Sequence, residues 1–402
     1  MKLIINASNI HIGGQLQVAI SFISELIHFP ENEYHVFYSV EIEQQISKDR
    51  FPPNFTFYSF IAYSGYSDRI MQKWMSFKRL RRMQMLERVI HPDVVFSVFG
   101  PVFWRPVAPH VSGFAIPSFV YSDSPYFDVI PAFEKLKRRI INEIRSRFFM
   151  QHIDILVVET EEVRQRLIKQ LIINPKRIFQ VSNTFSDIYN HPERWSDRVK
   201  LPPRVSDEIR LVTIAPNHRF KNLNVINEVI FHLRIKRPEL RIKFILTIHR
   251  MHLRNLGTAN RTYVHFTRKI KVEECPFLYS QCDFMFLPSL LDCFSASYPE
   301  AMKMGLPILT SDMSFARNVC GESAHYFNPL NPEDIAEKII QLAENPLLRA
   351  RLIAKGREQL KKFGSAKDRA SQYLQIAELA TNKQVSENRG LNPLEAKVSV
   401  LT

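Results

Sequence analysis

Cysteine is scarce in this chain of 402 residues: there are four, at positions 275, 282, 293 and 320, without metal-like spacing. So few for such a length point away from a disulfide framework and toward reduced cytosolic thiols. No apolar run approaches the roughly eighteen residues that would mark a membrane-spanning helix. The opening Met1-Lys-Leu-Ile-Ile-Asn reads directly as a strand and has neither the apolar core nor the cleavage site of a signal peptide. A cytoplasmic location is therefore expected. No Asp-x-Asp motif stands in a suitable loop and Cys/His clusters are absent, so no tightly bound metal or cofactor is expected. Zinc-finger spacing, an RNA-binding aromatic signature and a basic low-complexity tail are missing too, which argues against nucleic acid as a partner.

What is present is a composition for a soluble globular protein, with 45% hydrophobic and 23% charged residues. The length allows two domains with separate cores. A formal charge of +14 favours anionic partners, whether nucleotide sugars, nucleic acid or acidic lipid headgroups. Charge alone does not choose between them.

Strand-like and helix-like segments alternate along the first half. Lys2–Ile5, Tyr34–Tyr38, Asp93–Val98, Val111–Phe114 and Ile153–Val158 read as strands, with helical patterning near 16–27 and 160–171. This is the pattern of βαβ units and a parallel sheet. A polar, proline-bearing stretch over 191–209 reads as a linker, after which the alternation restarts. Arg210–Ala215, Arg241–Thr247, Tyr263–Phe266, Asp283–Leu287 and Pro307–Thr310 are the strands expected there, followed by helical sequence from about Pro332 to Ala380. The expected division is a first domain over 1–190, the linker 191–209, a second domain over 210–365, a final helix over 366–381 and a polar, loosely ordered tail over 382–402. The fold class is α/β, with two Rossmann-like doubly wound domains.

The most informative stretch runs from Asp283 to Asp312, DFMFLPSLLDCFSASYPEAMKMGLPILTSD. It reads as strand, loop, helix and strand, with Pro299 near the helix start and Gly305 just past its end. Such a unit places a loop and a helix start above the carboxyl ends of parallel strands, where open α/β sheets bind phosphorylated ligands. Asp292 falls in the loop and Glu300 in the helix. An ionised carboxylate there is suited to accept both hydroxyls of a ribose. The competing reading is an ordinary αβ unit with a surface Asp and Glu.

At these residues the chain resembles the donor-site signature of retaining glycosyltransferases of family 4. Glu300-Ala-Met and Gly305-Leu-Pro307 match that pattern closely, whereas Asp292 stands where the family usually has Glu, and Cys293-Phe294-Ser295 lacks the turn's glycines. The resemblance implies a GT-B fold, two Rossmann-like domains facing across a cleft, with a last helix that braces the first domain. It also implies that Glu300 holds the ribose, while Asp292, Phe294 and Ser295 meet the donor sugar.

Ala215-Pro-Asn-His-Arg-Phe-Lys-Asn222 is similar to the family's pyrophosphate-binding turn, with Lys221 and Arg219 as its cations, although Arg219 lies closer to the lysine than in the family pattern. Gly13-Gly14, after the first strand, matches the family's paired glycines facing the donor diphosphate. The histidine that many members carry after a central strand of the first domain has no counterpart in Val111–Pro117, and His110 reads as structural. Glu159–Glu162 and Asn183 read as hinge and packing features.

Phe133–Phe148, FEKLKRRIINEIRSRF, places Phe133, Leu136, Ile140 and Ile144 at helical spacing, with Ile141 and Phe148 widening the apolar arc. Lys135, Arg138, Arg139 and Arg145 fall mostly off that arc. A basic amphipathic helix can lie on an anionic membrane; the alternative is that it packs on the first sheet. Residues 69–88 are strongly basic as well, with Trp74, Met75 and Phe77.

The expectation is thus a retaining, metal-independent hexosyltransferase with Asp292, Lys221 and Arg219 as catalytic groups. It would take a nucleoside diphosphate sugar and a saccharide acceptor, lipid-linked and bound for surface polysaccharide, at the inner membrane. A non-catalytic saccharide- or partner-binding protein on the same fold, or a nucleotide-sugar epimerase, are the alternatives.

Overall fold

The computed structural model describes residues 1–11, 13–60, 69–100, 102, 104–253 and 256–382, with only the backbone for 69–76, 145 and 147–150. The expected tail beyond 382, Ile12, and the side chains of Trp74, Met75, Arg145 and Phe148 lie outside the described residues. Two compact units are formed. The first comprises Met1–Ala115, Arg139–Val181 and the chain from Lys367; the second comprises Ile116–Arg138 and Ser182–Ala366.

The first unit is built on seven parallel strands: β1 (Lys2–Ala7), β2 (Glu33–Tyr38), β3 (Phe55–Ser59), β4 (Val94–Ser97), β5 (His110–Gly113), β6 (Ile155–Val158) and β7 (Ile178–Gln180). Their order is β3-β2-β1-β4-β5-β6-β7. Leu3 sits opposite both Tyr34 and Val94, so β1 is central. The strands are continuous apolar runs because a parallel sheet is buried on both faces. Alternation along β1 feeds two cores: Leu3 and Ile5 pack with Phe22 and Tyr373, and Ile4 packs with Phe37, Val95 and Trp104. Helix Ala366–Thr381 belongs to this unit from Lys367 on. Its Tyr373 meets Phe22 edge-on at 5.0 Å, and its Arg369 donates to Ser21 Oγ at 2.8 Å.

Gly113 ends β5 where a Cβ would fall 2.0 Å from the Val98 carbonyl oxygen, so no other residue fits without moving backbone. His110, the first residue of β5, is buried and uses both ring nitrogens: Nδ1 contacts the His152 carbonyl at 2.6 Å and Nε2 contacts Ser97 Oγ at 2.8 Å. Its role is structural.

The second unit holds six parallel strands: β8 (Glu208–Thr213), β9 (Arg241–Leu246), β10 (Val264–Phe266), β11 (Phe284–Leu287), β12 (Ile308–Ser311) and β13 (Ala324–Phe327), in the order β10-β9-β8-β11-β12-β13. Leu211, Phe244, Phe286 and Leu309 form its core with helices Ile226–Lys236 and Pro332–Glu344. Both sheets reverse their strand order once, between β1 and β4 and between β8 and β11, the switch points where doubly wound sheets receive ligands.

Relative to the contiguous division expected from sequence, residues 116–138 group with the second unit. Ser124 Oγ donates to the Leu290 carbonyl at 2.6 Å, and Tyr121 meets Phe315. The expected linker 191–209 is more structured than a bare connection: Pro192–Arg194 forms a short 3₁₀ turn, and Asp187–Asn190 just before it forms another. Ile188 and Tyr189 are buried, and Trp195 Nε1 donates to the Ile188 carbonyl at 2.9 Å. β3 and β13, absent from the sequence reading, are both edge strands. The four cysteines are buried and form no disulfide among the described residues.

Candidate active site

The switch point between β8 and β11 gathers the chemistry of the second unit. After β8 the chain turns through a 3₁₀ helix, Arg219–Lys221, and Asn222 takes a left-handed conformation with φ 53° before helix Ile226–Lys236 begins. After β11 comes the loop carrying Asp292. The two segments are knitted by a backbone hydrogen bond from Leu290 N to the Phe220 carbonyl, 2.7 Å. Helix Ser297–Lys303 is tied to the same place, since Ser297 Oγ donates to the Ile214 carbonyl at 3.0 Å, and Gly305 at φ +68° ends the helix as expected.

Lys221 and Asp292 are brought together. Nζ lies 2.5 Å from Oδ2, with side-chain exposures of 7% and 15%. A shielded pair of this kind is held by mutual compensation, and either charge alone is costly there. His218 precedes the turn, its ring stacked on Phe220 at 5.0 Å. Burial pushes its pKa down, with Lys221 adding to that and Asp292 opposing it, so the imidazole is favoured neutral beside the ion pair.

Arg219 goes elsewhere. Its side chain is 60% exposed and pairs with Glu134, Nη1 to Oε2 2.9 Å. Arg138 holds the other Glu134 oxygen, also at 2.9 Å, and its guanidinium lies over Tyr126, which meets Phe220 edge-on. Hydrogen bonding from Arg138, aided by Arg219, keeps the Glu134 carboxyl below its usual range. The 116–138 segment therefore reaches both site loops.

Glu300 stands in helix Ser297–Lys303, with only part of its surface open. Burial pushes its carboxyl up to about 7, opposed by Tyr189 and Tyr279. Tyr279 O–H donates to Oε2 at 3.3 Å. Cys293, Phe294 and Ser295 are buried, and Phe294 packs edge-on against Phe363, so their side chains face protein. Gly13 and Gly14 lie in the first unit at the start of helix Gly13–Glu25. Gly13 has φ +70°, and a Cβ on Gly14 would meet nothing within 4 Å. Asn183 Oδ1 accepts from Thr184 N at 2.8 Å, a packing role.

A cavity of about 590 Å³ lies at the carboxyl ends of β12 and β13, with Asp312, Arg317, Tyr326 and Lys338 in its wall. Pro329, another lining residue, accepts a hydrogen bond from Asn222 Nδ2 at 2.9 Å. Lys221, Asp292 and Glu300 do not line it, so the cavity adjoins the ion pair without containing it.

Helix Ala132–Gln151 exposes the apolar stripe read from sequence: Phe133, Leu136, Ile140 and Ile144 are 51–73% exposed. All four are open to solvent rather than buried in a core. Among the described residues no helix is long and apolar enough to cross a membrane.

Sequence reasoning missed Glu134, His218, Tyr189 and Tyr279 as site residues. His218 stood inside the quoted turn, beside two cations. Tyr189 fell in polar sequence adjoining the linker, and neither tyrosine nor Glu134 carried a local signal.

Residues 221–359 match the family model for glycosyl transferases, group 1. No curated protein matches the chain. Among solved structures the chain is similar to sucrose-phosphate synthase from Thermosynechococcus elongatus, with 14% identity, a TM-score of 0.70 and coverage of 94% of this chain and 98% of that one. It is similar to HepE from Anabaena, solved with UDP and glucose, with 12% identity, a TM-score of 0.66 and coverage of 94% and 99%. WaaG, a glycosyltransferase of lipopolysaccharide biosynthesis, gives 13% identity, a TM-score of 0.66 and coverage of 94% and 99%. The fold is GT-B, and with the match over 221–359 it supports a GT-B glycosyltransferase.

Proposed function

We propose that this protein is a retaining, metal-independent glycosyltransferase of the family 4 kind. It moves a hexose or deoxyhexose from a nucleoside diphosphate sugar to a saccharide acceptor. The observation that carries the reading is the Lys221–Asp292 pair at the β8/β11 switch point, in a stretch that matches a glycosyl transferase model. In the transfer, the bond from the anomeric carbon to the diphosphate breaks and a bond to the acceptor oxygen forms. The acceptor proton passes to the leaving phosphate, so no protein base is required. Negative charge grows on the diphosphate, and preorganised cations there lower the barrier most.

Lys221 and Arg219 would receive the diphosphate, each exchanging its present carboxylate for phosphate oxygens. Asp292, released from Lys221, would accept hydroxyls of the donor sugar together with the backbone of Cys293–Ser295. Glu300 would hold the ribose diol, and Gly13-Gly14 would allow close approach of backbone on the first unit. The acceptor would be lipid-linked and the product destined for surface polysaccharide. The exposed stripe of helix Ala132–Gln151, with Lys135, Lys137 and Arg139 around it, supports peripheral attachment to an anionic inner membrane.

The test is a binding screen of the purified protein against UDP, GDP, ADP and CMP and their common sugars, repeated with Glu300→Ala. Binding of one diphosphate that is lost in the variant supports the donor site and names the base. Absence of binding to every nucleotide overturns the reading.

A further inference from the structure

Two tyrosines approach the Glu300 carboxylate. Tyr279, from helix Cys275–Ser280, donates its hydroxyl to Glu300 Oε2 at 3.3 Å. Tyr189 comes from the 3₁₀ turn Asp187–Asn190, and its ring lies 6.2 Å from that of Tyr279. The Tyr189 hydroxyl is fully buried and has no hydrogen-bond partner of good geometry, although it sits near enough to Glu300 to favour the ionised carboxylate. It is therefore poised to bond Glu300 fully once a small movement corrects the geometry, since a buried hydroxyl left short of its partner costs free energy.

We infer that Tyr279 and Tyr189 are positioning residues for Glu300. Tyr279 fixes one carboxylate oxygen, and Tyr189 completes the support when a vicinal diol of the donor nucleoside engages the remaining lone pairs. The inference rests on the donor-site reading above. A carboxylate has about four acceptor positions, so one or two tyrosine hydroxyls leave room for both hydroxyls of a diol.

The surroundings of Glu300 explain why such support is needed. Burial favours its neutral form, and the groups opposing burial are the two tyrosine hydroxyls, not a cation. From helix Cys275–Ser280, Cys275 also faces it, as a thiol whose pKa burial raises further. Glu273 and Glu274 act on Cys275 from the preceding turn. Lys303, one turn on from Glu300, is directed over the Phe185 ring at 5.5 Å. Burial, with Glu300 adding to it, holds both tyrosines protonated well beyond neutral pH, so they act as donors.

Affinity for UDP, or for GDP where UDP does not bind, is measured between pH 6 and pH 9 on the wild-type protein, Tyr279→Phe and Tyr189→Phe. Melting curves verify that each variant is folded, and Tyr189→Phe stands as the second readout should Tyr279→Phe fail to fold. Ionisation of the nucleotide is common to all three proteins, so differences between them report on Glu300. Each phenylalanine variant is expected to bind several-fold more weakly near pH 6.5 and to regain wild-type affinity by pH 9, because its binding curve moves toward alkaline pH. Variants that follow the wild-type profile, or that lose affinity equally at every pH, overturn the inference while leaving the donor site standing. A wild-type protein that binds no nucleotide at any pH overturns the donor-site reading and this inference with it.

Discussion

Lys221 Nζ lies 2.5 Å from Asp292 Oδ2, joining the turn after β8 to the loop after β11 by one shielded ion pair 71 residues apart in sequence. Neither charge has much water to fall back on, so the two are interdependent in the folded state. Lys221→Met should leave a buried carboxylate uncompensated and cost about 3 kcal/mol, the lower end for breaking a buried pair. Urea unfolding measures this. The double variant Lys221→Met/Asp292→Leu should be less destabilised than Lys221→Met alone, and neither should retain nucleotide affinity.

Glu134 occupies Arg219, a cation proposed above to receive the diphosphate. The contact is exposed, so its worth is small. Glu134→Gln should free Arg219 and tighten nucleoside diphosphate binding a few-fold, with little change in melting temperature. A weaker-binding variant would show that Glu134 positions Arg219 for the ligand rather than competing with it.

Burial raises the Glu300 carboxyl from an ordinary 4.5 to about 7. Its neutral form is thus favoured in the folded protein, and that contribution to stability is fully present only below about 4.5. It is lost as pH rises through about 7. The difference corresponds to roughly 3 kcal/mol. Glu300→Gln should therefore stabilise the unliganded protein at pH 8 and have little effect near pH 5, while abolishing nucleotide binding at both. Denaturation midpoints at the two pH values decide the matter; an equal effect at both would show that Glu300 is solvated in the free protein.

Phe133, Leu136, Ile140 and Ile144 form an exposed apolar stripe on a basic helix. Replacing all four by serine removes little burial, so the melting point should hardly move. Co-sedimentation with phosphatidylglycerol vesicles should be lost. In the wild-type protein it should weaken as salt screens the surrounding Lys and Arg. Vesicle binding unchanged by the substitutions would remove this helix from the membrane reading.

The central strands of both sheets were legible because a strand covered on both faces is a continuous apolar run, as Leu3–Ile5 and Phe284–Leu287 show. Of the edge strands, Val264–Phe266 was read but Phe55–Ser59 and Ala324–Phe327 were not, since incomplete cover blurs an edge strand's pattern into loop. The helix of Glu300 was readable from Pro299 and Gly305, whose backbone demands are local.

Sequence alone determined the βαβ alternation repeated in two halves, the signature around Glu300-Ala-Met, and the chemical types at positions 221, 292 and 300. Those are local properties of periodicity, backbone preference and residue chemistry. Only the tertiary structure decided which acid meets which cation, Asp292 on Lys221 and Glu134 on Arg219, and that the stripe of Phe133 and Leu136 stays open. It alone set the ionisation of Glu300 as well. Charge pairing and burial arise from segments distant in the chain, and the low polarity that shifts a carboxyl exists only once those segments have closed around it.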